Sequence, residues 1–118
     1  MSAPWLEGIR INASHGACRR WATRPQVGAI AGILGKRIRE YTALGPDRAR
    51  ELRMELLNEL FGELRTLRGR GEISSASQLT FGEARALLDW LHEDGSTEEL
   101  WGWVDEQVDD HALLLPGV

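Results

Sequence analysis

A basic run interrupted by an indole carries the first suggestion of chemistry. Arg10, Arg19, Arg20, Trp21, Arg24, Lys36, Arg37 and Arg39 fall within the first third of the chain. Guanidinium groups bind phosphate bidentately, and an exposed indole stacks on an unpaired base for about 1–3 kcal/mol, so the set can grip single-stranded nucleic acid. The competing account buries Trp21 and pairs the arginines with the glutamate row Glu51, Glu55, Glu59 and Glu63. A second set lies near the other end, where Glu98, Glu99, Trp101, Trp103, Asp105 and Glu106 combine acid with aromatic surface. Such a surface suits a protein partner, because tryptophan is a favoured interface anchor and a negative face complements a basic one.

Other spacings fall short of a reaction. Gly28, Gly32, Gly35 and Lys36 are reminiscent of a phosphate loop, but the first required glycine falls at Ile30 and Arg37 stands where a Ser or Thr would hold magnesium. Small residues that let another backbone approach a helix are the better account. His15 and Cys18 have ligand spacing, yet a structural zinc site needs four donors and no cysteine pair completes this one. Ser14 beside His15 is adjacent in sequence only, which does not make a nucleophile and its base. The glutamates line one helix face instead of converging from separate elements on a metal. We therefore expect a binding protein and no enzyme, with no cofactor and no metal.

The elements that position these residues follow from composition and pattern. The 118 residues are 42% hydrophobic and 27% charged, the composition of a single globular domain. The net charge of −4 excludes a uniformly basic histone-type binder, but it divides unevenly, +6 over residues 1–70 and −10 over residues 71–118. A single cysteine precludes an internal disulfide, no leader pattern opens the chain, and no apolar run reaches the roughly 20 residues of a membrane span. A reducing cytoplasm is the expected location.

Residues 1–22 show no sustained period and are expected to form a less regular arm. Thr23 and Gln26 have capping-box spacing with Pro25 in the first turn, which predicts a helix from there to about Thr42–Gly45. Val27, Ile30, Leu34, Ile38 and Tyr41 make its apolar stripe. Gly45-Pro46 breaks the chain, and a second helix carries Leu52, Leu56, Leu60, Leu64 and Leu67 on one face. Arg48 and Arg53 are placed to relieve the glutamate row on the other. A loop around Ile73 follows, then a third helix opened by the Thr80/Glu83 capping box, with Leu79 placed to staple against Ala84 and Asp94-Gly95 as the stop. Its buried side is expected at Phe81, Ala84, Leu88 and Leu91, with Leu87 and Trp90 widening the stripe. Ser96 and Glu99 repeat the box spacing ahead of a fourth helix that frays towards Asp110.

The order of Arg24-Pro25-Gln26, the Leu-rich helix, Ser74-Ser75-Ala76-Ser77-Gln78, Leu79-Thr80-Phe81-Gly82-Glu83-Ala84 and Leu87-Leu88-Asp89-Trp90-Leu91 resembles a small helical module of phage and bacterial recombination proteins. That module occurs at the end of single-strand annealing recombinases and in Mu-type phage regulatory proteins, and the resemblance covers about residues 24–93. It implies DNA metabolism through binding to DNA or a partner, and it carries no catalytic residue across. The N-terminal arm, the Arg- and Gly-rich loop and the acidic fourth helix depart from it.

These observations predict an all-α fold, a four-helix orthogonal or bundle-like array with a less regular N-terminal arm. Residues 1–22 would be the arm, 23–112 the domain, and 113–118 a tail, with Leu52, Leu56, Leu60, Leu64, Leu88 and Leu91 central to the core. The expected function is accessory to DNA recombination or repair, with single-stranded DNA on the basic residues and a recombination or replication protein on the acidic helix. The alternative is a phage-type regulator that docks its acidic faces on a nucleic-acid enzyme. The Gly28/Gly32 face and spare tryptophans would suit a homodimer.

Overall fold

Thr23 does what its spacing predicts: its N–H donates to Gln26 Oε1 at 2.9 Å and its Oγ1 accepts from Gln26 N–H at 3.3 Å. The computed structural model of the chain describes residues 4–15, 20–42, 45–67 and 73–113, and within them it is all-α, with five α-helices. These are α1 (Pro4–His15), α2 (Arg24–Thr42), α3 (Pro46–Leu67), α4 (Phe81–Leu91) and α5 (Ser96–Leu113), with a 3-10 turn at Ala76–Gln78 before α4.

The extra helix is α1, in the segment expected to be a less regular arm. Among its described side chains only Leu6 and Ile9 are fully buried, too few to make a legible period, and Ile11 is exposed. Long-range contacts supply what the pattern lacks. Trp5 stacks on Trp90 of α4 with ring centroids 4.5 Å apart and planes within 5°. Arg10 donates from Nε to Leu60 O at 2.9 Å and from Nη2 to Glu59 O at 2.6 Å, fastening α1 to α3. A stacked aromatic pair contributes about 0.5–1.5 kcal/mol beyond the area it buries, so this one contact offsets much of the weak local signal.

The core runs through all five helices and the segment before α4. Ile30, Leu34 and Ile38 of α2 meet Leu52, Leu56, Leu57 and Leu60 of α3, while Ala84, Leu87 and Leu91 of α4 and Leu100 and Val104 of α5 complete it. The buried face of α4 contains Ala84 and Leu91 as expected and is shifted towards Leu87 and Trp90, the residues expected to widen it. Leu87 and Trp90 are buried and Leu88 and Phe81 only half-buried, because α1 covers the Trp90 side. The Leu64 side chain and residues 114–118 lie outside the described residues.

Polar pins set the connections. Asn58 of α3 donates from Nδ2 to Ile73 O at 2.8 Å and accepts Ile73 N–H on Oδ1 at 2.7 Å, which seats the buried Ile73 against the helix. The capping box of α4 forms as predicted: Thr80 N–H donates to Glu83 Oε1 at 2.8 Å, and Glu83 N–H donates to Thr80 Oγ1 at 3.1 Å. Leu79 and Ala84 are both fully buried beside it. The turn into α5 uses Gly95 at φ +86°, a left-handed backbone that glycine adopts without a Cβ penalty. The expected Ser96/Glu99 box is not the arrangement found. Ser96 begins the helix buried, and its hydroxyl donates to Leu91 O at 3.1 Å, while Glu99 accepts Trp90 Nε1–H at 3.1 Å. The carboxylate is drawn to a buried indole donor, whose need for a partner outweighs that of an exposed helix start.

Candidate nucleic-acid interface

The segment leading into α2 is held as extended backbone against the start of α4. Ala22 N–H donates to Leu79 O at 2.9 Å and Phe81 N–H donates to Arg20 O at 2.8 Å, forming an isolated antiparallel bridge between Trp21 and Thr80. The backbone is thus fixed independently of the side chains. Trp21 is 59% exposed, which removes the account that buries it. Arg20 and Arg24 are exposed on either side, and the N-terminus of α2 adds the positive end of its macrodipole beneath them. An indole on a rigid backbone between two guanidinium groups can stack on one base while the cations take the adjoining phosphates.

From Arg24 an outward strip continues along α2, broken at Gly35, which is buried beside Arg53. At about 100° per residue, Arg24, Gly28, Gly32 and Arg39 fall within about 80° of one another, and Lys36 lies about 40° beyond. All of them are exposed. A Cβ added at Gly28 or Gly32 would meet nothing within 4 Å, so these glycines do not serve the approach of another element of the fold, as the sequence had suggested. They leave the strip bare instead. Lys36 lies 3.8 Å from Glu40, and Arg39 donates from Nε to Gly35 O at 3.1 Å. Arg24 to Arg39 spans about 22 Å at 1.5 Å per residue.

Two arginines expected on this surface face inward. Arg10 holds the α3 carbonyls described above. Arg37 donates from Nη2 to Leu91 O at 2.9 Å and from Nη1 to Ser96 Oγ at 3.2 Å, tying α2 to the turn between α4 and α5. Carbonyls at a helix C-terminus lack partners within the helix and carry its negative pole, so a guanidinium satisfies them on both counts. Arg19 lies outside the described residues.

The acidic helix divides in the same way. Trp103 is buried and its Nε1–H donates to Glu59 Oε2, which places it in the core rather than on a partner surface. Trp101 is half-buried, stacks on Tyr41 with centroids 5.0 Å apart, and donates from Nε1 to Arg37 O at 3.2 Å. Glu99 is engaged by Trp90. Glu98, Asp105 and Glu106 remain exposed, with Gly102 between them on the same side. A broad open groove lies nearby, lined by Asp47, Glu51, Glu55 and Glu59 over a floor that includes Met54, Ile73 and Trp103.

Arg48 relieves part of the glutamate row, at 3.0 Å from Glu51 and 3.3 Å from Glu55. Arg53 does not join it. Its Nη1 donates to Ala31 O of α2 at 3.3 Å, and burial, then the neighbouring charges of Arg50 and Arg39, lower its pKa below the usual arginine value. Arg50 and Arg53 were not among the expected site residues, although the signal was present: Ala49, Arg50, Leu56 and Leu57 flank Arg53 at three- and four-residue spacing, with no carboxylate among them.

Among the described residues no group of three or more His, Cys, Asp or Glu is placed to hold a metal ion, and no helix is long and apolar enough to cross a membrane. No protein-family model matches the chain, and no curated protein or solved structure matches it either.

Proposed function

We propose that this protein is a non-catalytic accessory factor of DNA recombination or repair that works in the cytoplasm and binds single-stranded DNA along α2. The exposed Trp21, fixed between Arg20 and Arg24 at the head of a bare cationic strip, is the observation that carries the reading. An indole gains from stacking only where a base face is free, so the arrangement favours single strands over a duplex. The exposed acids of α5, Glu98, Asp105 and Glu106, would take a basic protein partner. The resemblance read from the motifs of residues 24–93, if it holds, would accord with this role.

Fluorescence anisotropy of labelled single- and double-stranded oligonucleotides tests it. Salt-sensitive binding with a single-strand preference is expected, and Trp21→Ala should weaken it by about 1–3 kcal/mol, roughly five- to 150-fold. Equal affinity of Trp21→Ala and the parent protein for single strands would refute the reading. A second reading has its own observation, the acidic groove with an apolar floor beside α3. On that reading the protein is a regulator that docks on a basic site of a nucleic-acid enzyme.

A further inference from the structure

Three guanidinium groups gather where α2 meets α3, and among the described residues none of them pairs with a carboxylate. Arg53 enters from α3, with Nη1 on Ala31 O at 3.3 Å and only 3.4 Å from the point a Cβ on Gly35 would occupy. Arg39 reaches the next turn of the same stretch, with Nε on Gly35 O at 3.1 Å. Arg50 stands one turn before Arg53 on α3 and is exposed. The Nε of Arg53 is buried and has no hydrogen-bond partner. Like charges brought together around an unsatisfied donor are unfavourable unless an anion joins them, and the guanidinium fork matches a tetrahedral oxyanion. Glycine at 35 leaves room for the Arg53 head group to sit against α2.

We propose that Arg39, Arg50 and Arg53 form a binding site for one phosphate group. Phosphate is favoured over a carboxylate because donors from two helices surround a tetrahedral anion more completely than a planar one. The site adjoins the strip along α2 and so depends on the strand-binding reading for one source of its phosphate, but not for its chemistry. The lowered pKa of Arg53 agrees with a cluster awaiting an anion.

The test follows the Arg53 Nε–H resonance of the full-length protein in ¹H–¹⁵N spectra during titration with inorganic phosphate, against sodium chloride at equal ionic strength. A saturable shift with phosphate alone is expected, weakened about tenfold in Arg50→Gln and in Arg39→Gln. Arg24→Gln, remote along α2, should leave the titration unchanged. Absence of a saturable shift at millimolar phosphate, the same shift with chloride, or an unaltered titration in Arg50→Gln would each overturn the proposal. Arg50 is exposed, so its variant does not put the fold at risk. Matched oligonucleotides with and without a 5′-phosphate then identify the source. Movement with both supports an internal phosphodiester, movement only with the phosphorylated strand a terminal phosphate, and response to inorganic phosphate alone the free anion. That last result would leave this site standing while the Trp21 anisotropy experiment judges the strand-binding reading separately.

Discussion

Arg37 and Arg24 lie on one helix and carry one charge each, yet they should respond oppositely to removal. Arg37 makes two charge-assisted hydrogen bonds, to Leu91 O at 2.9 Å and Ser96 Oγ at 3.2 Å, in a half-buried setting. Bonds involving a charged group contribute about 1.5–3 kcal/mol each, but Leu91 O keeps the Ser96 hydroxyl after truncation, so the lower part of the summed range applies. Arg37→Ala should therefore cost about 3–4 kcal/mol in urea denaturation followed by tryptophan fluorescence. Arg24 is exposed, and its truncation should change stability by less than about 0.5 kcal/mol. Binding reverses the order. If Arg20, Arg24, Lys36 and Arg39 each neutralise one phosphate, the logarithm of single-strand affinity should fall with that of salt concentration at a slope of about −2.8, or about fiftyfold between 50 and 200 mM. Arg24→Ala should reduce that slope by about 0.7, whereas Arg37→Ala, measured where it remains folded, should leave it unchanged. A stable Arg37→Ala with a flattened slope would show that Arg37 faces the ligand and would refute the reasoning.

Three further outcomes follow from the same contacts. Asn58→Ala removes both bonds to the Ile73 backbone and should destabilise the protein by about 1–3 kcal/mol in urea denaturation, with rapid amide exchange at Ile73. Gly28→Ala and Gly32→Ala meet no neighbour and should each stabilise α2 by about 0.8–1 kcal/mol, read as a rise in the thermal midpoint; a loss of stability would mean that the strip is packed in solution. Charge reversal at Glu98, Asp105 and Glu106 should leave the fold within about 0.5 kcal/mol of the parent while abolishing capture of a basic partner, and survival of that complex would move the docking surface off α5.

What the sequence shows of this molecule is what local chemistry decides. Thr23 with Gln26 and Thr80 with Glu83 sit three residues apart, so their helix starts are written within one turn, and Gly45-Pro46 and Gly95 mark breaks in the same local way. Ile30, Leu34 and Ile38 of α2 and Leu52, Leu56 and Leu60 of α3 were legible because burial there follows the helical period, whereas Tyr41, expected on the α2 stripe, is exposed. The helix α1 was not, since Trp5 and Arg10 find their partners in Trp90, Glu59 and Leu60, more than forty residues away. The fate of each arginine was hidden for the same reason. Spacing says which side chains are cationic, but only tertiary packing decides that Arg37 faces a helix end while Arg24 faces water. Arg53, expected with Arg48 to relieve the glutamate row, has no carboxylate one turn away, whereas Arg48 has Glu51 three residues ahead, and that difference sends Arg53 to another helix.

The inward arginines also explain how opposite surfaces coexist on so small a chain. Arg48 is engaged by Glu51 and Glu55, and Arg10 and Arg37 by backbone carbonyls, so three cationic side chains among the described residues are withdrawn from the outer surface. What remains outward on α2 is mainly cationic, with Glu40 the exception, and what remains outward beside α3 and on α5 is mainly acidic. Helices with their side chains are about 10–12 Å across, and the Debye length at physiological ionic strength is about 8 Å, so a ligand on one face feels the opposite face only weakly. A strand along α2 and a basic protein on α5 therefore do not compete through charge. Arg50 is the residue at the boundary, lining the acidic groove while standing beside Arg53. If a phosphate draws its guanidinium towards Arg53, the groove loses a basic side chain and becomes more negative. Binding on the α2 side would then strengthen the attraction of a basic partner on the other.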